Sequence, residues 1–522
     1  MKRPKLNALD RAIAVVSPGW ALRRMAARVR LDIARAYYDG ATTGRRGASI
    51  RRSGADANVI AYAQLGKLRT GSRDLARNNP HARRAVEAIV SNTVGEGIAP
   101  SFLRGTVRAE DLEELAKLHL YTTACDSDGL LTWGGLQALA LKSIAEGGEV
   151  LVRRRWRRLG DGLAVPVQFQ VLEGEYLDDT KDGPVAGGGY IVQGVEYDAI
   201  GRRRAYWLFR EHPGGRRATT DSRPVPATDV AHVYRVDRPG QVRGIPWGAA
   251  VLLSHADFAD YEEAHLLRQK IAACFAAFVE EPFDSGLPST ARQEDQEDGT
   301  TKLIDSMEPG MVERLPPGTK VTFGAPPGVE DYAEFSSVSL HKVAMGWGVS
   351  YEAMTGDLSG VNFSSGKMGR LEFQRNIDTW RAHMLLPMLC DRVAAWWLEA
   401  VELGTGTDTD GVTVRHVAPR HAMIDPTREW PAIRQAVRSG QKTMSQVIRE
   451  SGRDPVEHFQ EYAEDLKLLD KLGIVLDSDA RVRTNAGLGI VEPASSSGAG
   501  DGGGENGEPG ESGEELEELE EE

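Results

Sequence analysis

The spacing of apolar residues predicts helices in the first part of the chain and strands after them. Four segments show apolar residues at helical spacing: 20–38, 72–94, 109–122 and 132–146. Pro80 should kink or divide the second of these helices. Five segments then alternate with period two and are rich in β-forming residues: 148–156, 165–172, 190–198, 202–209 and 229–236. This order predicts an α+β domain that ends near Asp237.

Long helical patterns dominate the remainder of the chain. An alanine-rich pattern over 247–279 and a second one over 331–345 predict two helices, and the Pro/Gly-rich stretch 280–328 between them predicts a small insert with short strands. A third long helix is predicted over 368–402, and we expect Pro387 to bend it. Shorter helices are predicted between 426 and 472.

A loop rich in small polar residues lies directly before the third long helix. Its glycines, at 356, 360 and 366, permit unusual backbone angles. Small polar side chains and one lysine stand among them: Asp357, Ser359, Asn362, Ser364, Ser365 and Lys367. Such a composition predicts a mobile, hydrated loop. Because the loop is attached to a rigid helix, we expect it to contact another molecule.

The same loop does not match a phosphate-binding loop. Five residues rather than four separate Gly360 from Gly366, and Met368 stands where a serine or threonine is required. No buried strand leads into the loop. We therefore assign no nucleotide to it.

Aromatic residues follow the third long helix at helical spacing. Trp380, Trp396 and Trp397 could form a ligand box, but aromatic residues at this spacing are more often part of the core. Cys125, Cys274 and Cys390 lie far apart and show no metal or disulfide pattern, so we expect buried thiols.

Composition and charge set further limits. The 522 residues are enough for two to four structural units, and the apolar share of 41% is that of a soluble globular protein. No apolar run of about 18 residues occurs that could span a membrane. The net charge of -13 comes mainly from eleven acidic residues after Pro493, whereas the first hundred residues are rich in arginine.

Enzyme signatures are absent from the sequence. The histidines form no H-E-x-x-H pattern, and no G-x-S-x-G nucleophile elbow occurs. We predict no enzymatic activity, no cofactor and no metal. One hypothesis is a monomeric nucleic-acid-binding or adaptor protein that acts through its basic N-terminal arm, 1–54.

Five separated segments carry a resemblance to a known family. They occur in the family's order: Arg73–Ile98, Val167–Asp179, His232–Trp247, Met307–Val321 and Gly348–Phe373. The chain resembles the tailed-bacteriophage portal proteins of the lambda family from about residue 20 to 475. The resemblance implies a mainly helical α+β portal fold and a homo-oligomeric ring, usually a dodecamer, with double-stranded DNA in its channel.

The family's layout implies a division of the chain into eight regions. These are a basic N-terminal arm (1–54), an α+β wing (55–244), a first stem helix (245–279), a clip (280–328), a second stem helix (329–347), a tunnel loop with a long kinked helix (348–402), C-terminal wing or crown helices (403–492) and a disordered acidic tail (493–522). The family's arrangement has no counterpart for the acidic tail.

The resemblance also implies partners and a location. The partners are the large terminase subunit, the major capsid or scaffold protein and the head–tail connector proteins. The location is the capsid vertex of the virion, after assembly in the host cytoplasm. The channel residues would be Asp357, Ser359, Asn362, Ser364, Ser365 and Lys367. Weak contacts suit a channel in which DNA must slide, because strong phosphate clamps would hold it.

Overall fold

The computed structural model describes residues 55–274, 279–280, 294–295, 301–302, 314–315 and 332–476, apart from residues 106, 218–220 and 424. The described part is mixed helix and sheet and 55% helical, which confirms the mainly helical α+β class. It separates into two compact units, of which the first ends at Gly452 and the second begins at Arg453. The predicted helix over 20–38, the N-terminal arm, the acidic tail and nearly all of the clip lie outside the described residues.

The helices of the first unit are α1 (Ala57–Asn78), α2 (Pro80–Thr93), α3 (Glu110–His119), α4 (Trp133–Gly147), α5 (Leu252–Cys274), α6 (Tyr332–Trp347), α7 (Tyr351–Thr355), α8 (Phe363–Trp380), α9 (Asp391–Thr405), α10 (Pro426–Arg438) and α11 (Met444–Glu450). The second unit contains α12 (Pro455–Leu472).

The longer strands are β1 (Ala99–Arg104), β3 (Glu149–Trp156), β4 (Val167–Glu173), β8 (Arg203–Phe209), β9 (Ser222–Pro226), β10 (Val230–Tyr234) and β15 (Val412–Val417). The short ones are β2 (Val107–Arg108), β5 (Gly183–Pro184), β6 (Tyr190–Val192), β7 (Val195–Tyr197), β11 (Val279–Glu280), β12 (Glu294–Asp295), β13 (Thr301–Lys302) and β14 (Arg314–Leu315).

Pro80 divides the predicted helix over 72–94, as expected. Asn79 has an extended backbone between α1 and α2, and its side-chain oxygen accepts hydrogen bonds from the amides of His81 and Ala82 at 3.0 and 3.1 Å. Pro80 takes the first position of α2, where the missing N–H costs nothing. The sequence therefore encodes both the end of α1 and the start of α2.

Three antiparallel sheets organise the first unit. Their strand orders are β15-β1-β2, β10-β3-β4 and β5-β6-β7-β8-β9. The first sheet joins distant parts of the chain, because Ala99 pairs with Val417 and Arg104 pairs with Val412. Strands β11 and β14 form a parallel pair, and β12 and β13 an antiparallel pair.

One predicted strand is wrong in detail. The segment 190–198 forms a hairpin, β6 and β7, rather than a single strand. Its turn is at Gln193 and Gly194, and both have a positive φ, of 48° and 85°. Glycine favours this backbone conformation, so Gly194 marks the turn. The apolar residues on both sides of this turn give the segment the pattern of one continuous strand, so the sequence does not reveal the turn.

The main core lies between helices and the β10-β3-β4 sheet. It contains apolar side chains of α2, α4, β3 and β4 together with α8 and α9. Trp397 and Trp380 belong to it, so the prediction that these aromatic residues are core is confirmed. A second, smaller core fills the space between β3, β4 and β10 and the five-stranded sheet.

Helices α8 and α9 are joined by a π-helical segment, Arg381–Cys390, and Pro387 lies inside it. Proline cannot donate the i→i−4 hydrogen bond of an α-helix and its ring crowds the preceding turn. A π-helical stretch changes the hydrogen-bond register over that turn. The sequence predicts that Pro387 disturbs the helix, and the structure has a π-helical segment at this position.

A buried charged cluster ties α1 and β3 to the segment before α5. The Glu149 carboxylate accepts from Arg69 at 2.5 Å, from Nε of Arg243 at 2.8 Å and from the Gly244 amide at 2.7 Å. It also lies 3.1 Å from Nε2 of His232. Burial disfavours the charge of Glu149, but the guanidinium groups of Arg243 and Arg69 hold the pKa of this carboxyl well below its usual value.

Candidate functional site

The polar loop connects α7 to α8, and α8 begins earlier than predicted. Gly356 ends α7 in the left-handed conformation, with φ 74°. Asn362 is the N-cap of α8, and the helix begins at Phe363 rather than at Met368. Ser364, Ser365 and Lys367 are therefore helical residues and not loop residues, which corrects the sequence prediction.

A capping box explains the early start of α8. The Asn362 side-chain oxygen accepts from the Ser365 amide at 2.8 Å, and the Ser365 hydroxyl accepts from the Asn362 amide at 3.1 Å. This reciprocal arrangement satisfies two backbone donors that the first turn of a helix leaves open. Asn362 and Ser365 therefore have a structural role in addition to any contact that they make.

Hydrogen bonds organise the loop around Asp357. One carboxylate oxygen accepts from the Ser359 amide at 2.9 Å and from the Ser359 hydroxyl at 2.7 Å. The other accepts from the Tyr351 hydroxyl at 3.2 Å. The two Ser359 donors and the Tyr351 hydroxyl lower the pKa of Asp357 below its usual value. Asp357 is fully exposed, so the loop presents a fixed negative charge to solvent.

The base of the loop is anchored in the core. Phe373, Ile377 and Trp380 of α8 are buried, and the Trp380 ring lies 4.6 Å from that of Trp247. Arg381 donates to the carbonyl oxygen of Thr93 at 2.7 Å, which fixes the end of α8 against α2. A helix held in this way gives the loop a defined position.

Two residues that support the loop were not predicted. Tyr351 bonds Asp357, and its ring stacks on that of His341 with 3.9 Å between centroids. Leu358 is 67% exposed at the loop's surface, although it is apolar. Ser350 is a good N-cap residue and could have indicated α7, but nothing local in the sequence marks Leu358 as exposed.

An open cleft of about 530 Å³ lies beside the loop. It is lined by Asn92, Ser350, Glu352, Ala353, Leu358, Val361, Asn362, Gly366, Lys367, Arg370 and Phe373. The cleft brings two of the predicted site residues, Asn362 and Lys367, to one surface. Asp357, Ser359, Ser364 and Ser365 do not line it.

Helices α5 and α6 form an antiparallel pair. The Trp347 indole donates to Nε2 of His255 at 3.1 Å, the Tyr261 and Phe335 rings are 4.5 Å apart, and those of His265 and Tyr332 are 4.4 Å apart. Burial lowers the pKa of His255 to about 4, so its ring is neutral and can accept from Trp347.

One cluster within the described residues has the composition of a metal site. Glu173, Glu175 and His212 place ligand atoms within 4.8 Å of one another. Arg73 lies 2.5 Å from Glu175 and 3.4 Å from Glu173, so both carboxylates already pair with one guanidinium. We interpret the cluster as an ion-pair network.

The structure describes the side chains of two of the three cysteines. Cys125 and Cys390 are free and buried, and burial raises the pKa of the Cys125 thiol to about 12. The Cys274 side chain is outside the described set. Among the helices that the structure describes, none is both long and apolar enough to cross a bilayer.

A family model described as "Phage portal protein, lambda family" matches residues 43–381. The match covers more than half of the chain and includes the helices and sheets around the loop. This chain therefore belongs to the lambda family of phage portal proteins. Membership of this family favours a portal role over that of a monomeric nucleic-acid adaptor. A structural rather than an enzymatic role also fits the family.

A curated relative supports the same assignment. It is the "Probable portal protein" of Halomonas phage phiHAP-1, which is 27% identical over 468 residues, covering 85% of this chain and 88% of the relative. The match continues beyond the region of the family model, so the likeness is not confined to that part of the chain.

Chains from gene transfer agent particles are weakly similar in structure. One comes from the neck of an empty particle, is 15% identical, covers 79% of this chain and 99% of that chain, and has a TM-score of 0.38. Another comes from the neck of a native particle, is also 15% identical, covers 76% and 99%, and has a TM-score of 0.39. TM-scores this low carry no argument about fold or assembly.

Proposed function

We propose that copies of this chain form a ring at a capsid vertex and that the loop 356–362 lines the channel through which double-stranded DNA is packaged and released. The observation that carries this proposal is an exposed loop of small polar residues on a helix anchored in the core. Family membership supports the ring, whose copy number we expect to be twelve by analogy with the family.

The chemistry of the loop suits a sliding contact. Asp357 and Ser359 bond to one another and offer no base-specific donors, and Asp357 repels the phosphate backbone. Lys367, one turn into α8, supplies a single attractive charge per copy. Repeated around a ring, Asp357 would form a ring of negative charge and Lys367 a ring of positive charge. Such a surface holds DNA weakly and without sequence preference.

The layout of the other regions is part of the same proposal. We assign the wing to 55–244, the stem to 245–279 and 329–347, and the clip to 280–328, where the terminase and later the connector proteins would bind. The antiparallel α5–α6 pair supports the stem, because two paired helices can carry an insert away from the body. The major capsid or scaffold protein would contact the ring from outside, in the virion.

A loop replacement tests the channel assignment. Replacing Asp357 and Ser359 with glycine removes the fixed charge and its hydrogen bonds but keeps Leu358 and Val361, which line the cleft. It also keeps Asn362 and Ser365, because losing this cap would cost about 1 kcal/mol. We expect rings to assemble normally while packaged DNA per particle and infectivity fall severalfold. Both are measured by quantifying encapsidated DNA and plaque titre.

A second exposed loop provides the control. Residues 407–410, between α9 and β15, are also small and polar, and replacing Asp408 and Asp410 with glycine there should leave packaging unchanged. Normal packaged DNA and infectivity in the variant with glycine at 357 and 359 would contradict the channel role of the loop.

A further inference from the structure

One face of α5 is exposed and combines apolar and acidic residues. Leu253, Asp257, Asp260, Ala264 and Leu267 are all exposed, and the two leucines are 80% and 57% accessible. At about 100° per residue these five positions fall on one stripe of the helix. We name this set the acidic stripe.

The opposite face of α5 is the one that packs on its own chain. His255 and Phe258 are buried there, and His255 bonds Trp347 of α6. Asp257 and Asp260 have no ion pair within the described part of the chain. An exposed stripe with leucines at both ends and unpaired charge between them has the composition of a helix surface that packs on a partner.

The cleft beside the loop has the complementary composition. Lys367 and Arg370 stand one turn apart on α8 at its rim, and Leu358 and Val361 give it an apolar wall. Neither basic side chain has an ion pair among the described residues. Glu352 is the only acidic residue that lines the cleft. Its surface is therefore apolar with a net positive rim.

The stripe and the cleft are found at opposite ends of α2. The His81 ring, at the start of α2, lies 6.2 Å from that of Phe258 in α5, whereas Asn92, near its end, lines the cleft. Eleven residues of helix separate the two, which is about 16 Å. The helix that carries the stripe and the cleft are thus near opposite ends of α2.

We propose that the acidic stripe of one copy docks in the cleft of the next copy, with Asp257 and Asp260 facing Arg370. Two different surfaces on one chain make a head-to-tail contact, and such contacts close into rings when the rotation per copy divides a full turn. The proposal rests on the proposed ring and names the surfaces that hold it together. It also places part of the base of the loop at the subunit boundary.

Charge reversal tests the contact on the full chain. Asp257→Lys with Asp260→Lys, and separately Arg370→Glu, each place like charges across the contact, which is unfavourable when the charges are partly desolvated. We expect the ring fraction, measured by mass photometry, to fall about tenfold in each variant. Combining all three substitutions should restore rings to a large part of the wild-type level.

Matched controls separate a specific contact from a general charge effect or misfolding. Glu110→Lys with Glu114→Lys makes the same charge change on an exposed face of α3 and should leave the ring fraction unchanged. The circular dichroism spectrum should be unaltered in every variant, because the altered side chains are exposed. Ring loss without rescue in the triple variant would overturn the pairing.

The outcomes also separate the proposed function, a ring, from the proposed contact between copies. Wild-type protein that never forms rings would refute the proposed function itself. Wild-type rings with unchanged ring fractions in both reversal variants would overturn only the contact between the stripe and the cleft. If Arg370→Glu left the rings intact but reduced DNA retention, the cleft would bind nucleic acid rather than α5.

Discussion

Replacing Glu149 with glutamine is expected to cost about 3–5 kcal/mol of folding stability. The substitution keeps the size of the side chain but leaves the guanidinium groups of Arg69 and Arg243 without a buried counter-charge. It also weakens the bond from the Gly244 amide, which holds the segment leading to α5. The measurement is the free energy of unfolding from urea titration of the purified protein, supported by the change in Tm.

A partly exposed ion pair provides the matched control for this prediction. Glu175→Gln removes the 2.5 Å partner of Arg73, but both side chains remain partly in contact with solvent. Water can solvate the charge left behind, so the loss should be no more than about 1 kcal/mol. Equal losses of unfolding free energy in the Glu149→Gln and Glu175→Gln variants would contradict the larger cost expected for breaking the buried cluster.

Replacing Trp397 with alanine is the second large effect, with an expected loss of about 3–5 kcal/mol. Trp397 is fully buried, and its ring stacks on that of Phe102 with 4.7 Å between centroids. Alanine would leave a cavity between α9 and β1, and the surrounding strands can close it only in part. Urea unfolding measures this loss directly.

Trp397→Phe separates packing from hydrogen bonding. The Trp397 indole N–H has no hydrogen-bond partner among the described residues, so phenylalanine removes an unsatisfied donor while retaining an aromatic ring. The expected loss is about 1–2 kcal/mol. A phenylalanine variant as unstable as the alanine variant would contradict the packing account of this site.

Local signals explain what the sequence predicted well. Pro80 after Asn79 encodes the division between α1 and α2, and Gly440 and Gly452 end α10 and α11 with positive φ, of 75° and 78°. The strands β3, β4, β8 and β10 carry clear period-two patterns and appear where predicted. In each case the information lies within a few neighbouring residues.

Long-range pairing explains most of what the sequence did not reveal. β1 and β15 lie about three hundred residues apart and form one sheet, which no local pattern indicates. Arg69, Glu149 and Arg243 are each unremarkable in the sequence, and only the fold brings them together in the core. The hairpin β6–β7 was missed because its apolar strands mask the turn at Gln193.

The candidate site was located from the sequence, but its internal structure was not. The glycines and small polar residues identified the loop, whereas the capping box between Asn362 and Ser365 moved three predicted loop residues into α8. The bond from Tyr351 to Asp357 and the cleft with Arg370 depend on the packing of α7 against its neighbours. Side-chain bonds of this kind are set by three-dimensional contacts.

Electron cryomicroscopy of the purified full-length protein tests the central claim most directly. We predict rings with a central hole in which the loop 356–362 faces the hole and α5 of each copy lies over the cleft of the next. Uniform monomers at micromolar concentration, or rings whose loop 356–362 faces the outer surface, would contradict the account.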